Sequence, residues 1–138
     1  MRAIFMILAL LVPLTVVPAS AHHANAGFDT NAPLTLHGKV TRVEWINPHA
    51  WIHLNMAQAD GATAMWLVEC GPPNIMFRRG LSKDALAEGS EITVDGYAAK
   101  EATWRAQAKG VTLQNGKRVL VNGRLSASGK SILFKTEP

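Results

Sequence analysis

Residues 50–57 read Ala-Trp-Ile-His-Leu-Asn-Met-Ala, followed by Asp60-Gly61 and then residues 63–70, Thr-Ala-Met-Trp-Leu-Val-Glu-Cys. In the first of these runs Ala50, Ile52, Leu54 and Met56 alternate with His49, Trp51, His53 and Asn55. That period of two is the signature of a strand with one buried face. Asp-Gly between two such runs is a strong hairpin signal, so residues 63–70 form the return strand. If the turn holds two residues, Met56 lies opposite Met65, Leu54 opposite Leu67 and Ile52 opposite Glu69. Glu69 would then sit on the apolar side, where a carboxylate needs a partner. A slip of one residue would move every side chain to the other face.

Upstream of this hairpin, Leu34 to Ile46 reads as a long strand, with Gly38 as the place for a bend or bulge. Asn47-Pro48 interrupts it, because proline lacks an amide hydrogen and drives the residue before it into extended geometry. Downstream, Gly71-Pro72-Pro73 ends the return strand. Asn74 to Arg79 suits one or two helical turns stopped by Gly80. Ser82 suits an N-cap for Lys83 to Ala87, with Gly89 in the stop position. Glu91 to Ala98 alternates again as a strand. Asn115-Gly116 marks a second hairpin between Val111–Leu113 and Arg118–Val121, and Leu125 to Phe134 suits an edge strand. Three strands, a short helix and two more strands predict an all-β domain with one short helix, built as a small OB-like five-stranded barrel. A β-sandwich is the alternative.

The first residues carry the parts of a secretory signal. Arg2 supplies charge, Ala3 to Val17 is apolar, and Ala19-Ser20-Ala21 fits the small-x-small cleavage pattern. The apolar run is short for a bilayer span, which takes ~20 residues. The expected organisation is a signal peptide over 1–21, an N-terminal arm over 22–33 pinned by Phe28, and a single barrel-like domain over 34–138. The chain is expected in the periplasm, with no membrane span once residues 1–21 are removed.

A formal net charge of +4 is mild, and the basic residues are scattered with no run longer than two. A nucleic-acid partner would call for a basic stripe or patch, so none is expected. Cys70 is the single cysteine. No intramolecular disulfide can form, and its apolar neighbours predict a buried, inert thiol. The chain lacks Gly-x-Ser-x-Gly, a glycine-rich phosphate loop, His-Glu-x-x-His and Cys-x-x-Cys, so nothing in it suggests catalysis.

All five histidines fall between positions 22 and 53: His22, His23, His37, His49 and His53. Cleavage after Ala21 would give His22 a free α-amine beside its imidazole, a chelating pair suited to Cu(II) or Ni(II). His23 adds a second imidazole. His49 and His53 share one strand face but stand ~13 Å apart, so one ion would take only one of them. His49, at the strand end after Asn47-Pro48, is the better partner for an arm. The expected metal set is therefore His22, His23 and His49, with copper as the metal, while His37 reads as solvated or capping. A second expectation is a groove for a small ligand or a periplasmic protein partner, lined by Trp51, His53 and Trp66 on one sheet face. The plainer role for those tryptophans is covering the core.

The start His22-His23, Phe28-Asp29, Leu36-x-Gly38-x-Val40, Trp45-x-Asn47-Pro48-His49 and Val68-Glu69 followed by a proline resemble one family. It is an uncharacterised family of small bacterial periplasmic proteins, a domain of unknown function, over roughly residues 22–121. Members carry serine directly after the two histidines and phenylalanine soon after, whereas here Ala24-Asn25-Ala26-Gly27 delays Phe28. The resemblance implies export and a small β fold, and places His22, His23, Asn47, Pro48, His49 and Glu69 in the family pattern. It implies no mechanism.

Overall fold

The computed structural model describes residues 27–122. The expected signal peptide, His22, His23 and the edge strand over Leu125–Phe134 lie outside them. Six strands form: β1 (Phe28–Glu44), β2 (Trp51–Ala57), β3 (Thr63–Glu69), β4 (Glu91–Ala99), β5 (Arg105–Leu113) and β6 (Arg118–Leu120). One short helix, α1 (Pro73–Arg78), and a single 3-10 turn, Asp84–Leu86, lie between β3 and β4. The strands hydrogen-bond in the order β3-β2-β1-β4-β5-β6, and β3 also pairs with β5 in parallel. That last pairing joins five strands in a ring, giving the barrel-like, mostly β domain that the sequence predicts rather than two separate sheets.

The alternating residues do what their pattern requires. Ile52 and Leu54 on β2, Val68 on β3, Ile92 and Val94 on β4, and Ala106, Ala108 and Val111 on β5 point into one fully buried cluster. Val40 joins it from β1, and Met76 and Leu81 close it from α1 and the loop that follows. Cys70 is buried as expected. Burial pushes its thiol far above the ordinary range, and the neighbouring Glu69 charge adds to the effect.

Three sequence expectations need correction. β1 starts at Phe28 rather than Leu34, so the second half of the stretch read as an arm is strand. Phe28 pairs with Ala99 and is buried. The bulge against β2 falls between Val40 and Arg42, not at Gly38. Gly38 instead allows close approach of β2, since a Cβ there would meet the Asn55 carbonyl oxygen at 2.4 Å.

The third correction is the hairpin register. Leu54 pairs with Trp66, Ile52 with Val68 and Trp51 with Glu69, one residue away from the pairing expected of a two-residue turn. The cause lies in the turn. Gln58 N–H donates to Ala62 O and Gly61 N–H to Gln58 O, which closes a loop of three residues. Only Gly61, at φ +81°, takes the left-handed conformation, whereas a two-residue turn of the primed type needs it at Asp60 as well. Asp60 instead uses its carboxylate to accept the Ala62 N–H at 2.9 Å. The second hairpin repeats the arrangement. Gly116 is at φ +80°, Asn115 Oδ1 accepts the Lys117 N–H, and Leu113 bonds across to Lys117.

The helical segment forms nearly as read, with α1 stopped before Gly80 at φ +86°. Ser82 Oγ accepts the Ala85 N–H, although the turn that follows is a single 3-10 turn. No described helix is long and apolar enough to cross a membrane.

Candidate functional site

The corrected register brings His49, Trp51, His53 and Glu69 to the outer face of β2 and β3. Trp51 and His53 alternate outward along β2, and Glu69 faces Trp51 from β3. His49 lies just before β2. Its position is fixed because Ala50 exchanges hydrogen bonds with the end of β3: Cys70 N–H donates to Ala50 O, and Ala50 N–H to Gly71 O. The His49 ring thereby stands beside Glu69, with Nδ1 3.0 Å from Oε1 as an ion-pair neighbour.

Glu69 is the one buried carboxylate among the described residues, its side chain only 8% exposed. It survives there because β5 runs alongside β3 and delivers a second cation. Arg105 Nη2 stands 3.6 Å from Glu69 Oε2. That distance exceeds a good hydrogen bond, so Arg105 acts as a charge neighbour, as does the nearer His49 ring. The guanidinium is held over the Trp51 ring, 4.7 Å from its centroid, as a cation–π contact. Arg105 Nε is buried without a hydrogen-bond partner. The result is a chain of contacts, Trp51–Arg105–Glu69–His49, that ends in an imidazole one-third exposed.

A second histidine–carboxylate pair lies further along the same face. His53 Nε2 donates to Glu44 Oε1 at 2.7 Å, and Arg42 reaches the same oxygen. The hydrogen bond from His53, with Arg42 adding to it, holds the Glu44 carboxyl below the usual carboxylate range. A carboxyl depressed in the folded state stabilises the fold above the unfolded value, and that contribution disappears as pH falls through the folded one. In a carboxyl NMR titration, His53→Ala is expected to raise the Glu44 midpoint towards the ordinary ~4.3; an unchanged midpoint would refute the assignment. His37 is elsewhere, its Nδ1 3.1 Å from Thr93 Oγ1 between β1 and β4.

The structure does not assemble the expected aromatic groove. Trp66 pairs with Leu54 and packs against the core, so it lies on the opposite face of the hairpin from Trp51 and His53. Its ring meets Trp104 edge-on at 5.4 Å. Trp45 also packs on the core and stacks with Phe77 of α1 at 4.9 Å. Among the described residues no three His, Cys, Asp or Glu side chains lie together as a metal site. Of the expected metal ligands, His49 alone is described.

Arg105 is the residue that sequence reasoning missed. It reaches Glu69 only through the parallel β3–β5 pairing, which joins segments far apart in the chain and leaves no local signal. The same holds for Gln107, buried and in register with Glu69.

Fold and site together define a small, barrel-like β domain with a histidine–carboxylate–arginine cluster on one outer face. A family model described as "Family of unknown function (DUF6152)" matches residues 10–108, well over half the chain, and the chain belongs to that family. No curated protein matches it.

Proposed function

We propose that this protein is an exported, non-catalytic periplasmic module that binds a transition metal, copper by the chemistry of its donors, through His49 and the amino terminus created at His22. The observation that carries this reading is where the amino-terminal segment joins the domain. Gly27 lines the same surface hollow as Phe28 and Arg105, and its carbonyl accepts the Lys100 N–H at 3.0 Å. Arg105 in turn neighbours Glu69, which pairs with His49. His22 is five positions before Gly27, with four residues between them, a reach of up to about 17 Å. Binding at this site requires that reach to carry the terminal amine and imidazole to the exposed edge of His49.

An imidazole, a second imidazole and an α-amine make a nitrogen-rich set of the kind Cu(II) takes in tetragonal geometry. His49 supplies one such donor, and His22, with His23 as a further candidate, would supply the rest.

Calorimetric titration of Cu(II) into the chain beginning at His22 tests the reading. One equivalent is expected to bind with quenching of tryptophan fluorescence. Either His49→Ala or one extra residue before His22 is expected to weaken binding by roughly tenfold or more, since even outer partners of a ligand are worth 10–100-fold. Affinity indifferent to both changes would rule the site out.

A further inference from the structure

We propose that the end of the barrel built from residues 45–50 and α1 docks peripherally on an anionic phospholipid bilayer, with Ile46 and Phe77 entering the headgroup layer among basic side chains. This surface is independent of the metal reading.

Helix α1 buries Pro73 and Met76 and leaves Phe77 outside. Phe77 is 40% exposed and Ile46 52%, two of the four exposed large apolar side chains among the described residues. Trp45 brings this pair together. Its ring packs against the core and stacks on Phe77, with centroids 4.9 Å apart, and Ile46 follows it directly in the chain. A patch of this kind rimmed by charge marks an interaction surface, because a partner recovers the apolar burial that the fold forgoes.

The charge around it has one sign. Residues 45–50 and 70–83 contain no aspartate or glutamate, but they hold Arg78, Arg79 and Lys83. Lys117 joins them from the second hairpin, its Nζ donating to Gly80 O at 2.8 Å just beyond α1. Arg78, Lys83 and Lys117 are all exposed. The carboxylates flanking these segments are already answered, Glu44 by Arg42 and His53 and Glu69 by His49 and Arg105. Aromatic and aliphatic side chains among lysines and arginines suit the boundary of a bilayer. Rings settle at headgroup level there, and cations are drawn to anionic lipid. A protein groove could take Phe77 and Ile46 without any need for the cations, so charge complementarity favours lipid. The attachment is peripheral, since no described helix is long and apolar enough to cross a membrane.

Co-sedimentation with phosphatidylglycerol vesicles tests the docking, using the chain beginning at His22, which keeps every described strand and core residue. The protein is expected to bind these vesicles, to bind phosphatidylcholine vesicles far more weakly, and to be released by about 0.5 M salt. Ile46→Ser combined with Phe77→Ser is expected to lower partitioning by roughly tenfold or more. Both side chains are exposed, so the unfolding midpoint should stay close to the parent's. Arg78→Gln combined with Lys83→Gln is expected to weaken binding to phosphatidylglycerol by roughly tenfold and to leave phosphatidylcholine unaffected. Should the first pair fail to fold, the second carries the test. Brominated phosphatidylglycerol is expected to quench tryptophan fluorescence. Trp45→Phe, which keeps a ring to stack on Phe77, should remove most of that quenching, and Trp104→Phe should leave it. Quenching lost with Trp104 rather than Trp45 would overturn the proposal. So would no binding to phosphatidylglycerol, equal binding to phosphatidylcholine, or binding indifferent to both pairs of substitutions.

Discussion

Replacing Gly96 with alanine is expected to destabilise the domain by about 3 kcal/mol or more. The added Cβ would stand 2.0 Å from the Gln107 carbonyl oxygen and 2.9 Å from its carbonyl carbon. Both are backbone atoms, so no side chain can swing away to relieve the clash. The local geometry explains why β4 comes so close. Asp95 pairs with Gly110 and Gly96 with Ala108, which leaves Lys109 as an extra residue on β5, a β-bulge. The Lys109 carbonyl then accepts the Val121 N–H, and the Val121 carbonyl accepts the Gly71 N–H. Prising β4 from β5 at this point disturbs the bonds that tie the far end of the chain back to the end of β3. It also shifts Gln107, which is in register with Glu69. Against a total stability of 5–15 kcal/mol, a loss of this size is large. Urea unfolding followed by tryptophan fluorescence should show the midpoint falling by roughly 1–2 M. A midpoint within a few tenths molar of the parent would show that β4 and β5 can separate there at little cost.

The parts of the fold legible in the sequence are those set by local rules. Alternation over residues 49–56 defines β2, and glycines at positions 80 and 89 stop the helical turns because each sits in the left-handed region, at φ +86° and +85°. The ring order follows from three strands, a short helix and two strands. What local rules did not fix is parity. Asp60-Gly61 is compatible with a loop of two or three residues, and the choice depends on whether Asp60 also adopts positive φ. It does not, since its side chain has a better use in accepting the Ala62 N–H. That single choice moves Glu69 from the core face to the outer face beside Trp51, and it is also what sends Trp66 inward.

The site was half legible for the same reason. His49 and Glu69 both stood out in the sequence, one by its place after Asn47-Pro48 and the other as a carboxylate in an apolar strand. Their ion-pair contact at 3.0 Å follows only from the corrected register. Glu44, Glu69 and Asp95 stand far from one another along the chain. Each in fact faces a basic side chain from another strand or its flank: His53 for Glu44, His49 for Glu69 and Arg118 for Asp95. Cross-strand neighbours have no fixed sequence spacing, unlike the i, i+4 pairs of a helix, so spacing alone could not find them.

Leu54→Ala, set beside Leu67→Ala, measures that register in solution. Leu54 is fully buried at the centre of β2, between Val40 on β1 and Trp66 on β3. Truncating it removes apolar contact and leaves a cavity lined by neighbours that the strand ladders hold in place, a change that costs 2–5 kcal/mol in tightly packed cores. Leu67 is the same residue type in the same hairpin. It faces His53 on the outer surface and is only half-buried. Its truncation gives up less apolar contact and creates no enclosed void, so about 1 kcal/mol or less is expected. In the two-residue-turn register the two leucines would oppose each other across the core, and both truncations would then be severe. Their free-energy losses from urea unfolding therefore separate the two pairings. A ratio near one would move Glu69 back to the core face and away from His49, and the proposed metal site would go with it. A loss at Leu54 several times that at Leu67 keeps Glu69 on the outer face, beside the His49 imidazole.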